Sequence, residues 1–481
     1  MTIKVAKTEA ENVEDAQQKD GVPESLVTEQ YDKEAVAALV WKQDLRILPL
    51  SAFIYLLCYL DRSNIGELDL TYNAKVLSAD TGNDLLTETG MSNYEFTIVL
   101  MVFLIAYTLF EVPSSYFLKK LRPNRWIALL MLSWGATTIG LGGATNYAQV
   151  TGIRFLLGVT EAGLFPGLVY YLTFWYRTSE RSLRLALILA SATLAGAFGG
   201  AIAYRMGYLN GEHEHSAWRW LFFIEGALSC ASAILVWFLL PNYPESVGWL
   251  NDDEKQLAEQ RLQVEGSKGG AKVMSWAEAK EVLTEWLLSI FGISTPFSSL
   301  SLFMPSITAG LGYENLKAQL MTVPPYAVAY VVIVVVAWSA DHFNARGLHS
   351  ARFSFIGVMG FLASAVLTAD AYLQRYGCLI VGSSGAFSCI PPLPGWLSSN
   401  THSTGGAGLA IALNISFGAP GRIVGVWIYK ANEVERGYPT EHWTNAALLL
   451  FVSVGCVLLH FYDVMANRRR TTSSGRKRYA Y

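Results

Sequence analysis

Four charged side chains stand where the chain is otherwise apolar, and their chemistry is that of an anion site able to exchange a proton. Asp61 and Arg62 follow directly on the apolar run ILPLSAFIYLLCYL, residues 47–60. Arg154 and Glu161 lie seven residues apart in the stretch RFLLGVTEAG. On a helix that spacing is two turns, a rise of about 10 Å, and both side chains leave from one stripe. The guanidinium groups of Arg62 and Arg154 stay protonated and can grip a carboxylate through two parallel hydrogen bonds, while the carboxyl groups of Asp61 and Glu161 can take up and release protons. An anion site coupled to protons needs both kinds. Two plainer readings stand beside this one: Asp61 and Arg62 at the outer end of a spanning helix among headgroups, and Arg154 with Glu161 as an ion pair that only packs helices.

The elements that position these groups follow from composition. Of 481 residues 52% are hydrophobic and only 16% charged, where soluble domains carry about 25% charged residues. Apolar stretches of the length that crosses a bilayer as a helix, about 20 residues, fall near 47–66, 95–116, 126–145, 150–172, 184–208, 219–240, 286–307, 318–339, 352–371, 376–397, 405–428 and 444–464. A charge in the middle of such a span costs roughly 2.5–3.5 kcal/mol, and the few that occur face a bundle interior and mark a pathway. Most Lys and Arg outside the spans lie in the loops after even-numbered spans and in the C-terminal tail, which places both termini in the cytoplasm.

The expected fold is all-α, twelve transmembrane helices in two six-helix halves, 44–240 and 286–465. A polar N-terminal tail (1–43) carries no apolar leader segment and is expected to be disordered. A cytoplasmic linker (241–285) contains NDDEKQLAEQRL, an amphipathic helix with Asn251 as its cap. A basic cytoplasmic tail (466–481) closes the chain. Two short charged turns, SSYFLKKLRPNRW at 114–126 and AWSADHFNARG at 337–347, stand at equivalent places in the halves. Two halves around a midplane site is a common construction of secondary transporters. The five cysteines fall in apolar spans and read as small core residues, and the His-rich GEHEHS at 211–216 reads as a solvated loop. No P-loop, dinucleotide fingerprint or metal spacing is present, and the linker and tails are too small for a catalytic domain, so an enzyme is not expected.

With this layout, the two loop motifs and RFLLGVTEAG, the chain resembles the major facilitator superfamily. YLDRSNIG, WRWLFFIEG, LPNYPE and AIALNISFGAPGRIVG narrow the resemblance to the anion:cation symporters, specifically the fungal allantoate permease branch, over roughly residues 40 to 465. The resemblance places the Asp61 motif in a central cavity. In sialin-like and vesicular glutamate transporter relatives an Arg and Glu at matching span 4 positions serve transport, and in bacterial sugar-acid symporters the matching span 1 Asp and span 4 Glu handle protons. It thus implies substrate binding by Arg62 and Arg154, with Asn414 of span 11 and Tyr107 of span 2 as further contacts, and proton coupling by Asp61 and Glu161. Lys119, Asp341 and Arg346 are expected to act as gate-loop residues, and Glu225 to hold fold geometry. Gly196, Gly199 and Gly200 allow tight packing of span 5 and lack the Gly-Pro of the superfamily's antiporter motif, which favours symport. Three features depart from the pattern: Ser115 and Lys119 replace the usual Gly and Asp, span 7 looks about ten residues short, and Arg422 stands where a small or neutral residue is expected.

The function expected is proton-coupled symport of a small organic anion by alternating access, the substrate being a carboxylate such as allantoate, nicotinate or pantothenate. No cofactor is required beyond the proton gradient as driving force. The partners are the anion and the lipid bilayer, with no nucleic acid, and the protein acts as a monomer in the plasma membrane. An exporter of a fungal secondary metabolite and a non-transporting nutrient sensor are the alternatives; direction of accumulation separates the first, and transport of a labelled compound the second.

Overall fold

The computed structural model describes residues 33–67, 84–264, 276–311, 313, 315–400, 418–430, 433 and 436–470. Among them every regular element is helical. Inside a bilayer only a helix or a closed barrel satisfies the backbone, and the long apolar runs, punctuated by proline and glycine, fold accordingly. Span 1 is Lys33–Glu67 and span 2 Asn93–Lys120; span 3 is Pro123–Gly142. Span 4 is broken into Tyr147–Glu161 and Leu164–Leu172. Span 5 is Thr178–Met206 and span 6 Ala217–Leu239. Span 7 is Trp276–Gly310. Span 8 comprises Asn315–Leu320 and Val323–His342, and span 9 is Arg346–Val366. Span 10 is split into Tyr372–Ser388 and Pro392–Asn400. Span 11 is described over Ala419–Trp427, and span 12 is Pro439–Arg470. Eight of the described segments are long and apolar enough to cross a membrane on that criterion alone.

Three lengths differ from expectation. The first helix begins at Lys33, inside the expected tail, because EAVAALVWK is rich in helix formers and has a surface to pack on: Leu39 is buried, and Lys42 pairs with Glu254 at 2.8 Å. Span 7 is not short, being 35 residues long; the polar stretch WAEAKEVLTEW continues the helix upstream of the apolar run. The last helix extends to Arg470, into the expected tail. The linker helix, Asp252–Val264, starts as the sequence indicates: Asn251 Oδ1 accepts from the Glu254 amide at 2.7 Å, and Glu254 Oε2 accepts from the Asn251 amide at 2.9 Å. It docks on the first half through Lys42–Glu254, through an Arg261–Glu180 ion pair, and beside the stacked Trp175 and Trp249 rings, 5.8 Å apart.

Packing repeats with a period of six spans. Span 1 lies against span 5, span 2 against span 4, and span 3 against spans 4 and 6; in the second half the same pairs are 7 with 11, 8 with 10, and 9 with 10 and 12. The halves meet through spans 5 and 8, through 2 and 11, and through 1 and 7. The first two of these contacts are equivalent under the repeat, as expected for parallel halves related about the membrane normal. Glycines set the closest crossings. A Cβ on Gly360 would overlap the Gly382 nitrogen, and one on Gly226 would lie 2.7 Å from the Gly135 carbonyl oxygen, so these backbones touch directly. Large apolar side chains such as Leu109, Phe238, Val331 and Leu458 remain exposed on the outside, where lipid would solvate them.

At the face opposite the chain termini the two halves close on each other. A Cβ on Gly196 would strike the Tyr326 ring at 2.6 Å, and one on Gly200 would overlap Thr322 Oγ1 and meet the Gln319 carbonyl oxygen at 2.7 Å. Tyr94 and Trp427 meet edge to face at 5.8 Å on the same side. Overpacking costs about 1–3 kcal/mol, so Gly200→Val is expected to shift the closure equilibrium roughly tenfold to a hundredfold towards opening. A cysteine introduced for the buried Gln319, in a background without the native cysteines, reports this: a membrane-impermeant maleimide should label it much faster in the Gly200→Val protein. Equal labelling with and without that substitution would show that the contact yields without opening.

Candidate functional site

Spans 1 and 4 bring the expected charges together. Arg62 donates from Nε and Nη2 to Glu161 Oε2, at 3.1 and 3.0 Å, and the Cys58 thiol approaches the same oxygen at 3.6 Å. Glu161 is fully buried. It ends the first helix of span 4, where Pro166 lacks an N–H and its ring crowds the carbonyl four residues back, so the helix breaks at Ala162 and Gly163. Gly163 permits the bend to lie against span 2, since a Cβ there would overlap Ser114 Oγ. One turn before Glu161, Gly158 lets span 4 press on the Phe103 carbonyl, which a Cβ would meet at 2.5 Å. Arg154, on the same helix, is 1% exposed, and its Nε and Nη2 have no hydrogen-bond partner among the described residues. Its guanidinium carbon lies 5.7 Å from the Phe103 ring centre.

Asp61 does not join them in the cavity wall, contrary to its expected place there. Consecutive residues on a helix point about 100° apart, so when Arg62 faces Glu161 its neighbour turns away. Asp61 Oδ2 accepts from Ser229 Oγ of span 6 at 2.5 Å, and the carboxyl is buried between helices within the first half.

Two chambers flank this centre. The smaller, of about 30 Å³, is lined by Leu100, Arg154, Ser301 and Leu302 and lies towards the face opposite the termini. The larger, of about 110 Å³, runs from Tyr107 towards the termini past Phe165, Leu189 and Pro394. Tyr59, Arg62, Phe297 and Arg422 line both, so these four form the layer between them. A cavity at the seam of two six-helix halves, reached by guanidinium groups and bordered by broken helices, is the construction of a carrier, and similarity to known proteins agrees. A sequence profile of the Major Facilitator Superfamily matches residues 52–426. The chain belongs to that superfamily.

Its relatives in the superfamily are transporters. The chain is 65% identical to MFS transporter prlL of Fungal sp. (strain NRRL 50135), over 95% of this chain and 92% of the relative. It is 34% identical to the MFS-type transporter cnsO of Penicillium expansum, over 90% and 84%. Among solved structures, the proton:xylose symporter XylE superposes with a TM-score of 0.68 at 14% identity, covering 86% of this chain and 95% of that one. A bacterial homologue of the human lysosomal transporter Spinster gives 0.59 at 14% identity, over 89% and 96%. The protein is therefore a multi-pass membrane transporter of twelve-helix major facilitator fold, and not an enzyme.

Within this major facilitator frame the remaining expected residues are distributed unevenly. Tyr107 lies in the wall of the larger chamber, with the Arg62 guanidinium 4.6 Å and that of Arg422 5.4 Å from its ring centre. Asp341 and Arg346 pair with each other at 2.7 Å across the turn between spans 8 and 9, and neither lines these chambers. Lys119 stands in the last turn of span 2, its side chain outside the described residues, and Asn414 lies wholly outside them. Sequence reasoning misses three groups. Arg422 reaches the central layer, although in the sequence it stands out only as a departure from a family pattern. Glu111, fully buried one turn after Tyr107, is the second. Ser299, Glu441, His442 and Asn445 build a buried polar network in the second half, with Glu441 Oε1 accepting from Asn445 at 2.6 Å and from Ser299 at 3.1 Å, and Arg375 beside His442 at 3.3 Å. The first two carry a signal, as charges inside apolar runs; the network is assembled from spans 7, 10 and 12 and has no local signature.

Ser229 is the donor found for Asp61, so Ser229→Ala should cost about 1–3 kcal/mol, the effect of leaving a buried acceptor unpaired. Asp61→Asn keeps an acceptor for Ser229 and removes the buried charge, and should cost less. Thermal midpoints of the purified proteins measure both. A larger loss for Asp61→Asn than for Ser229→Ala would mean that the charge of Asp61, rather than its hydrogen bond, holds spans 1 and 6 together.

Proposed function

We propose that this transporter is a secondary active carrier that moves an organic anion together with a proton, as in the anion:cation symporter branch of the superfamily, with both termini in the cytoplasm and the plasma membrane as its site. The observation that carries this reading is Arg154: a permanent cation, 1% exposed, with two donor nitrogens unpartnered among the described residues, in the wall of a chamber. Buried guanidinium donors left without acceptors are costly, and an anion entering the chamber offsets that cost through charge-assisted hydrogen bonds, more than a neutral acceptor would.

Coupling follows from competition for Arg62. In the resting arrangement Glu161 occupies its donors at 3.0 and 3.1 Å. Protonation of Glu161 removes the charge that holds Arg62 and frees the guanidinium for the substrate. The proton and the anion then bind cooperatively, because the first removes the competitor of the second. Deprotonation on the other side restores the ion pair and expels the anion. Asp61, held by Ser229 away from the chambers, carries the smaller share. Uptake should accordingly rise as the pH outside falls.

In reconstituted vesicles Glu161→Gln, which mimics the protonated acid, should abolish accumulation under an inward proton gradient while sparing counterflow, since exchange needs no net proton movement. Asp61→Asn should impair the gradient-driven step less completely. Arg154→Lys should lose about tenfold or more of transport, because an ammonium cannot reproduce a two-pronged contact. Concentrative uptake retained by both carboxylate variants would overturn the coupling, and normal uptake by a correctly inserted Arg154→Lys protein would remove Arg154 from the anion site. The sign of accumulation in the same vesicles separates import from export.

A further inference from the structure

We infer that the substrate is an organic acid with an apolar body, its anionic head held between Arg62 of one half and Arg422 of the other, its body lying in the larger chamber. This rests on the anion reading above and narrows it. The first support is Arg422. Its guanidinium carbon lies 5.4 Å from the Tyr107 ring centre, and that of Arg62 4.6 Å from the same ring; both side chains border both chambers. Span 1 belongs to the first half and span 11 to the second, so a cation from each half converges on one aromatic ring. Once protonation of Glu161 releases Arg62, an anion entering this layer is attracted by both guanidinium groups. The same anion then joins the halves, which is what an alternating carrier needs of its substrate.

The second support is the chamber below that layer. Apart from the two arginines its wall is dominated by Tyr55, Phe165, Ile333, Phe387, Ile390 and Leu393, with few polar groups among them. A small polar acid such as allantoate, whose ureido groups need hydrogen-bond partners along their length, would be desolvated against this wall with little return. A hydrocarbon or aryl body gains there, roughly fourfold in affinity for each methylene removed from water.

The test uses the full chain, purified, with tritiated 2-naphthylacetate as the probe in a scintillation proximity assay. Acetate, allantoate and the uncharged 2-naphthylacetamide serve as competitors. Naphthylacetate is expected to bind about a hundredfold more tightly than acetate or allantoate, from its buried aromatic body, and about tenfold more tightly than the amide, from its charge-assisted contacts. Arg422→Gln should weaken the acid and narrow the gap between acid and amide to about threefold or less. If allantoate or acetate competes as well as naphthylacetate while the acid still outbinds the amide, the apolar-bodied class is overturned and the anion reading stands. If the amide binds the native protein as tightly as the acid does, both fall. The series on the native protein decides the substrate class even if the Arg422 variant does not fold.

Discussion

The ion pair between Arg62 and Glu161 is the constraint around which the first half is arranged. Both charges lie at the centre of a protein whose surroundings are hydrocarbon, where each alone would be costly. Their pairing at 3.0 Å requires span 1 to present residue 62 to span 4 and not to span 6. That choice of face fixes the rest: Asp61 is turned towards Ser229, and Tyr59, three residues earlier on nearly the same face as Arg62, meets Phe297 of the other half at 5.7 Å. Glu161 in turn must sit where span 4 breaks. A continuous helix would carry Phe165 and Leu168 along the original axis, whereas the bend at Gly163 lays Leu168 in the core and Phe165 in the chamber wall.

The repeat of packing between halves explains why the second half has its own break at the matching place. Span 10 is interrupted between Ser388 and Pro392, as span 4 is between Glu161 and Leu164. Both breaks have prolines at or just after them, and both border the larger chamber, through Phe165 in one half and Pro391 and Pro394 in the other. The chemistry placed on this common frame differs. The first half holds charges in its centre, whereas the second packs with serines and glycines there and keeps one buried carboxylate, Glu441, in a network with Asn445 and Ser299. Arg422 is the exception, and it is the one guanidinium that the second half contributes to the central layer among the described residues.

How much of this is legible in the sequence follows from what each feature depends on. The spans, their number and the division into halves depend on local apolarity and length, which a bilayer imposes on each segment separately. The cap at Asn251 is equally local. Helix ends are less legible: residues 33–41 adjoin a polar tail and 276–286 are polar enough to read as linker, yet each simply continues an adjoining span. The charges in apolar runs are legible as a class, because any charge there is costly. Which way each one points is not, since that depends on the rotation of a helix against neighbours distant in the chain. Asp61 and Arg62 therefore read alike in the sequence although they face different helices. Arg422 obeys the same physical rule as Arg62 and Arg154, and only comparison with a family pattern makes it look out of place.

The rotation of span 1 also bears on how many proton sites such a carrier can use. Two carboxyl groups lining one cavity would interact with the same anion and with each other, so their titrations would be coupled. Here Glu161 pairs with Arg62 in the layer between the chambers, while Asp61, on the adjacent face of span 1, accepts from Ser229 of span 6. On the proposed coupling, a proton on Glu161 would change what Arg62 can bind, and one on Asp61 how tightly spans 1 and 6 hold together. The two events differ in kind. Under that proposal the first would alter affinity at the centre, whereas the second would alter the stiffness of the wall that carries Arg62, and only the first would act immediately on an anion in the chamber.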